Sequence, residues 1–414
     1  MTQEVKTYHD VCVVKQPVFT RQGDVWGFEL LYRDDTISVD PAQDNDLASL
    51  AVTAAASFCT PEGQGAVSHI VLSFSPKSIR SGLPEALPAS CMVIAFSETH
   101  ADDPAMEHAL RRLAAKGYPI AVEDFRARPG AEWLLSIACY LSIDMRAASM
   151  KEIMRAAAFG RAAGKQLLAK RVENLKARQL AETYGCSLFQ GCFFKQPEIV
   201  SRRTLNSHES GRLRLLKLME CEDLALDELA EAIRADVGLS YKLVNYLNSP
   251  FFGLRRTIGS VEQAVTLIGW RQTVDWLRVI IMADFAGSST TRELAFVSVQ
   301  RARFLELSAR SLNLSEDDSR SRFLLGLFSL LDVMLCTPMD ELLEPLNLEA
   351  EIVAALMGEE NEAARWLGLA LSFENGDWKG LDAAVEAMRL DPAMVAGCYS
   401  GALDWTSNLL MEMH

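Results

Sequence analysis

Eight short apolar runs in the first 200 residues restrict the fold more than any other feature of this chain. They are Val11–Val18, Val25–Leu31, Ile70–Phe74, Met92–Phe96, Ile120–Val122, Tyr140–Ile143, Gln166–Ala169 and Leu188–Phe194. As a group they are rich in Val, Ile and Phe, the residues that suit a pleated, half-buried surface. Between many of them, apolar residues recur at helical intervals. Asp44–Phe58 carries Leu47, Leu50, Ala51 and Ala54, and Asp103–Lys116 carries Met106, Leu110 and Leu113. Ala147–Arg161 and Val172–Tyr184 behave the same way. Strands separated by helices need crossover connections, which implies a parallel sheet. About eight strands in about 200 residues point to a TIM-like (β/α) barrel. An open doubly wound sheet is the alternative, but no G-x-G-x-x-G turn supports it.

The pattern changes after Pro197. Ser201–Ser210 (SRRTLNSHES) is polar and basic and reads as a linker. From Gly211 onward helical periodicity dominates. Capping boxes are read at Ser260–Gln263 and Thr290–Glu293, and Asp391 is an N-cap candidate before Pro392. Gly238, Gly253, Gly269 and Gly287 punctuate the helices. The expected organisation is a barrel over 1–200, a linker over 201–210 and an all-α domain over 211–414.

Composition bounds the function. With 49% hydrophobic and 23% charged residues, each part can bury a core, so wholesale disorder is excluded. The net charge of −14 opposes sequence-independent nucleic-acid binding, which needs a basic field. Apolar stretches such as Trp276–Phe285 are broken by charge and fall short of the roughly 20 residues that a membrane span requires. The opening MTQEVKTYHD lacks the pattern of a signal peptide. Nine cysteines without a C-x-x-C fit buried thiols in a reducing, cytoplasmic setting, and no ligand spacing suggests zinc. No histidine occurs between His208 and the terminal His414, so chemistry in the second half has no internal imidazole.

Several ordered motifs punctuate the first half. Gly27-Phe-Glu-Leu-Leu-Tyr-Arg33 is followed by Glu123-Asp124-Phe125, Tyr140-Leu-Ser-Ile-Asp144 and Ala169-Lys-Arg-Val-Glu173. Gln190-Gly-Cys-Phe-Phe-Lys-Gln-Pro197 closes the series. Their order and spacing resemble the EAL family of cyclic di-GMP phosphodiesterases over nearly all of the first 200 residues. That resemblance implies a TIM-like barrel whose reaction uses two divalent metals at the C-terminal strand ends. It places Glu29 on the glutamate of the family's name and Glu123 with Asp124 on its acidic pair. Glu173 and Gln190 fall on the late glutamate and glutamine, and Arg33 on the phosphate-contacting arginine.

The departures are heavier than the matches. Ser73 stands at the asparagine ligand, and Ala95 at the first of two paired glutamates, of which Glu98 remains. Ser142 replaces the lysine that holds the catalytic water. Lys170 and Arg171 replace a Glu-Gly pair, and Arg126 a glycine. Ligand count and negative charge both fall, so no bound metal and no phosphodiester hydrolysis are expected. Glu29 and Glu123 are expected to pair with Lys170, Arg171 or Arg126 inside the former metal cavity. Arg33, Arg126, Lys170 and Arg171 are the candidates for holding a phosphate without metal.

The second half carries Gly238–Ser249, Pro250-Phe-Phe-Gly253 and Thr257–Gly269, and resembles an HDOD domain, a helical relative of the HD metal-dependent phosphohydrolases. In Phe323–Asp332, Ser329 and Leu330 occupy the places of the adjacent His-Asp ligands, so no HD-type centre is expected. Phe251, Phe252, Trp270 and Trp276 read as core, with a partner groove or the interface between the two domains as the alternative, and Arg255-Arg256 as a weak site for an acidic partner. The whole resembles a two-domain EAL–HDOD signalling protein. It is read as a catalytically inactive regulatory scaffold, without cofactor, that engages a signalling protein through its surfaces. A metal-independent receptor for cyclic di-GMP or another nucleotide is one alternative. A residual phosphodiesterase using Glu29, Glu123 and Asp124 is the other. A homodimer is implied by the resemblance alone.

Overall fold

The structure is a computed structural model that describes residues 13–32, 69–196, 207–219, 226–248, 258, 260–285, 287–344, 346 and 348–411. The stretch Asp44–Phe58 and the residues Arg33, Phe251, Phe252, Arg255 and Arg256 lie outside it.

The eight runs form eight strands that close into one barrel in chain order. They are β1 (Val13–Thr20), β2 (Val25–Tyr32), β3 (Ile70–Ser73), β4 (Met92–Ser97), β5 (Ile120–Glu123), β6 (Ala138–Asp144), β7 (Gln166–Lys170) and β8 (Leu188–Gln190). One expectation is corrected: β1 runs antiparallel to both neighbours, β2 and β8, while the other pairs are parallel. The turn at Arg21–Asp24 is too short for a crossover, so β1 and β2 form a hairpin. The first half of β1 therefore lies beside the C-terminal ends of the other strands, with Gln16 opposite Glu29. The run Leu188–Phe194 is also divided, since β8 ends at Gln190 and Cys192–Lys195 is a 3₁₀ turn.

The helices between strands start where the sequence supplies an N-cap. Asp103 caps Pro104–Ala115, Ser149 and Glu152 form a capping box on Met150–Ala162, and Asn174 caps Leu175–Thr183. Inside the barrel, Val71, Val93, Ala95 and Ala121 pack into one apolar layer, and Val18, Leu168 and Leu188 into another. Trp26 and Tyr140 pack against both layers. Phe19 fastens the end of β8 to the turn that follows, with its ring 5.7 Å from Phe193 and 4.8 Å from Phe194.

The chain divides into two compact units. One holds Met1–Gln196 together with Leu371–Ala396, and the other Pro197–Ala370 with Gly397–His414. The expected division at 201–210 thus meets a segment that returns to the barrel unit from the far end of the chain. Ser207–Ser210, read as linker, is already the first turn of helix Ser207–Met219.

The second unit is helical, as expected. Ser260 caps the long helix Val261–Asp284, which kinks at Gly269. The next helix starts earlier than the Thr290 reading: Ser288 is its N-cap, in a reciprocal box with Thr291. Buried Arg212 ties three segments together by bonds to Asp236 (2.6 Å) and Asp284 (2.7 Å). Trp276 is core, stacked on Tyr246 at 5.8 Å. The cysteine expectation holds only in part. Cys186 and Cys398 are buried thiols, but Cys139 is exposed and Cys91 is disulfide-bonded. No helix among the described residues is long and apolar enough to cross a membrane.

Truncating Phe19 tests the closure. Phe19→Ala should destabilise the barrel by about 3–5 kcal/mol, read as a lower urea midpoint. An unchanged midpoint would contradict the anchoring role given to this ring.

Candidate functional site

Strand alternation builds the site. Side chains two apart on a strand share a face, so each residue of the apolar layers has a successor nearer the C-terminal end. Above Val71 stands Ser73, above Ala121 stands Glu123, above Leu168 stands Lys170, and above Leu188 stands Gln190. Glu29 of β2 is level with Val71 and joins them from the side of β1.

Lys170 is the hub. Its ammonium donates to Glu29 Oε1 and to Glu123 Oε1, each at 2.6 Å. Ser73 Oγ donates to Glu123 Oε2 at 2.8 Å, and Gln190 Nε2 to Glu29 Oε2 at 2.5 Å. The side chains of Glu29, Lys170 and Glu123 are 3%, 15% and 18% exposed, so these charges interact largely without water between them. Close packing of the following turn fixes the upper edge. Gly191 has φ 144°, and a Cβ there would stand 2.3 Å from the carbonyl oxygen of Val172.

The two carboxyls titrate in opposite directions. Burial raises Glu29 from its ordinary value, and neighbouring Glu123 adds to this; Lys170 and Gln190 only partly offset them. Burial also disfavours ionised Glu123, but Lys170 and the Ser73 hydroxyl outweigh it and hold this carboxyl below its ordinary value. Burial works against charge on Lys170 too, yet both carboxylates together raise its ammonium. The cluster thus holds one ammonium between two carboxyls, of which Glu123 is the more readily ionised.

Of the cations expected to enter this cavity, only Lys170 does so. Arg171 leaves β7 at φ 55° and pairs with Asp144 at 3.1 Å, while Arg126 pairs with Glu152 at 3.2 Å. Asp124 has φ 49° and is exposed, its backbone N–H bonded to Ser142 Oγ at 3.3 Å. Glu98 is buried, but it accepts the N–H groups of Arg126 (2.8 Å) and Arg128 (2.9 Å) and so shapes that loop. Glu173 is exposed and pairs with Arg146 at 3.3 Å. Ala95 contributes a methyl to the inner layer. The described members of the set suggested for a phosphate are therefore dispersed, Arg33 lying outside the described residues: Lys170 is spent on two carboxylates, and Arg126 and Arg171 each hold an acid on the rim.

This arrangement does not fit a pair of divalent cations. An ammonium fills the place between the two carboxylates, and neither Asp124 nor Glu173 joins them. Among the described residues no group of three or more His, Cys, Asp and Glu side chains is placed to hold a metal ion. In the helical unit, Ser329 Oγ accepts from Arg301 at 2.6 Å and donates to the carbonyl of Gly326, while Leu330 is buried. Sequence reasoning missed Gln16, whose Oε1 accepts from Gln190 Nε2 at 3.0 Å. Its only signal was its place at a strand start.

The HDOD domain family matches residues 207–357. The uncharacterized protein YuxH of Bacillus subtilis is 31% identical, covering 97% of this chain and 99% of that protein. The cyclic di-GMP phosphodiesterase CdgJ of Vibrio cholerae is 29% identical, covering 91% of this chain and 88% of that protein. Among solved structures, the PaMucR phosphodiesterase in complex with c-di-GMP aligns with TM-score 0.37 and 20% identity, over 44% of this chain and 94% of that one. The EAL domain of Mycobacterium smegmatis DcpA aligns with TM-score 0.36 and 22% identity, over 44% and 90%.

Two outcomes follow from the cluster. Lys170→Met leaves two buried carboxyls facing each other and should cost about 3–5 kcal/mol at neutral pH, seen in urea unfolding. A neutral effect would contradict the hub role. Glu123, held below the usual 4.5, contributes stability that is complete above that value and is lost as pH falls through the folded value. The raised Glu29 takes up its proton at a higher pH than Glu123 does. The difference in thermal midpoint, wild type minus Glu123→Gln, should therefore fall below about pH 4.5, and a constant difference would contradict the assignment.

Proposed function

From the membership of this chain in the family of two-domain EAL–HDOD proteins, we propose that it is a cyclic di-GMP signalling protein whose barrel does not hydrolyse the dinucleotide. It acts as a regulatory scaffold that engages a signalling partner through its surfaces. One observation carries the reading: Lys170 Nζ lies 2.6 Å from both Glu29 and Glu123.

Phosphodiester hydrolysis of this kind needs a nucleophilic water and a clamp on the phosphoryl oxygens, both commonly supplied by divalent cations. A lysine ammonium bonded to both carboxylates supplies neither. It is fixed in position, and two of its three hydrogens are committed. The carboxylates that would compete for a cation are already neutralised, so a metal would have to displace a covalently tethered charge. What the cluster does supply is rigidity: five strands are cross-linked at the mouth by side chains with little exposure to solvent. A mouth built this way suits a surface held in one shape for another protein.

The test is cyclic di-GMP added to the full chain with Mg²⁺ or Mn²⁺ and separately with EDTA, followed by calorimetry and chromatography of the nucleotide. No linear product is expected under any condition. Linear product formed with metal and lost on Glu29→Ala would overturn the proposal. Saturable binding in EDTA without cleavage would replace the scaffold reading by a receptor, and would leave the absence of hydrolysis standing.

A further inference from the structure

We propose that the segment Leu371–Ala396 is a strap that sets the state of the barrel mouth, with Glu374 as a positioning residue acting on the Lys170 cluster through Gln16 and Gln190. This goes beyond the absence of hydrolysis and does not depend on it.

The contacts lie within the barrel unit, to which this segment belongs. Helix Glu362–Asn375 ends in it, with no basic residue in its own last turn. A helix C-terminus leaves carbonyls without intrahelical partners and carries partial negative charge. The barrel supplies what the helix lacks. Gln16 Nε2 donates to the Glu374 carbonyl at 2.8 Å. Lys195, in the turn after β8, pairs with the Glu374 carboxylate at 2.5 Å, with side chains only 13% and 8% exposed. Cys192 in the same turn donates to Asn375 Oδ1 at 2.9 Å. Gly376 lies against β2, where a Cβ would stand 3.0 Å from Leu31 Cδ1. The strap has its own packing: Phe373 and Trp378 meet edge to face at 6.4 Å, and Leu381 and Val385 are buried.

These contacts continue inward without a break. Gln190 Nε2 has two hydrogens, one given to Gln16 Oε1 and the other to Glu29 Oε2. Gln16 in turn faces Gln190 with its oxygen and Glu374 with its nitrogen. Turning the Gln16 amide over would set nitrogen against nitrogen and oxygen against oxygen. Its orientation is therefore fixed from both ends, and four consecutive bonds join the strap to Lys170. Whatever moves Glu29 or Lys170, a ligand in the mouth included, changes the bonds that hold the helix end. By linkage, release of the strap changes the cluster by the same free energy.

Hydrogen exchange of the full chain, read by peptide mass spectrometry, tests this. Lys170 is bonded to Glu29 and Glu123 and to no residue of 371–396, yet Lys170→Met should speed exchange there by about 5-fold or more. Gln16→Leu cuts the relay in the middle and should speed exchange both in 371–396 and in Cys186–Gln196. Helix Pro104–Ala115, on the far side of the ring, should keep its wild-type rate in both variants. Unchanged exchange in 371–396 of Lys170→Met would overturn the proposal. So would an equal rise in Pro104–Ala115, which would mean general loosening. If Lys170→Met does not fold, Lys170→Arg keeps the charge but shifts its hydrogen bonds, and is read by the same criteria.

Discussion

A single ammonium holds the upper end of the barrel together. Lys170 lies between Glu29 of β2 and Glu123 of β5, strands from different sides of the ring, and bonds to both at 2.6 Å. Without it, two largely buried carboxyls would face one another, and at least one would have to stay protonated or turn away. With it, the titrations separate, Glu29 upward and Glu123 downward. Ser73, Gln190 and Gln16 then take up the remaining acceptor and donor positions. Removing the lysine would leave Glu29 Oε1 and Glu123 Oε1 without their shared donor.

The backbone makes this convergence possible. Pleat alternation carries Ser73, Glu123, Lys170 and Gln190 to one level above the inner apolar layers. The β1–β2 hairpin reverses one strand, which is why a glutamine near the start of β1 reaches the same level as residues at the ends of β7 and β8. Exposed residues next to the cluster in sequence are turned elsewhere. Asp124 and Arg171 both take positive φ immediately after their strands, and so leave the inward row that Glu123 and Lys170 complete.

Much of this was legible in the sequence, for reasons that can be stated. The strands were found because period-two burial inside a closed barrel produces compact apolar runs, and Lys170 was singled out because it breaks a known motif order. Pairing of Glu29 and Glu123 with a cation followed from the cost of burying an acid alone. Which cation would do it did not follow. Lys170 and Arg171 are adjacent, and only the backbone turn at Arg171 decides between them. The partner of Gln16 was further out of reach, since Glu374 lies 358 residues away in the chain. Helix starts were legible to within a few residues: Ser288 and Thr291 take the box expected two residues later because Ser288 already offers a hydroxyl.

An internal cation in place of an external one is the centre of this account, and metal affinity reports on it without any nucleotide. The most direct measurement is a calorimetric titration of Mn²⁺ into the full chain at neutral pH, with Glu29→Ala as control. The account predicts no saturable binding that depends on Glu29. Saturable binding to the wild type that disappears in Glu29→Ala would show that Lys170 yields its place, and would contradict it.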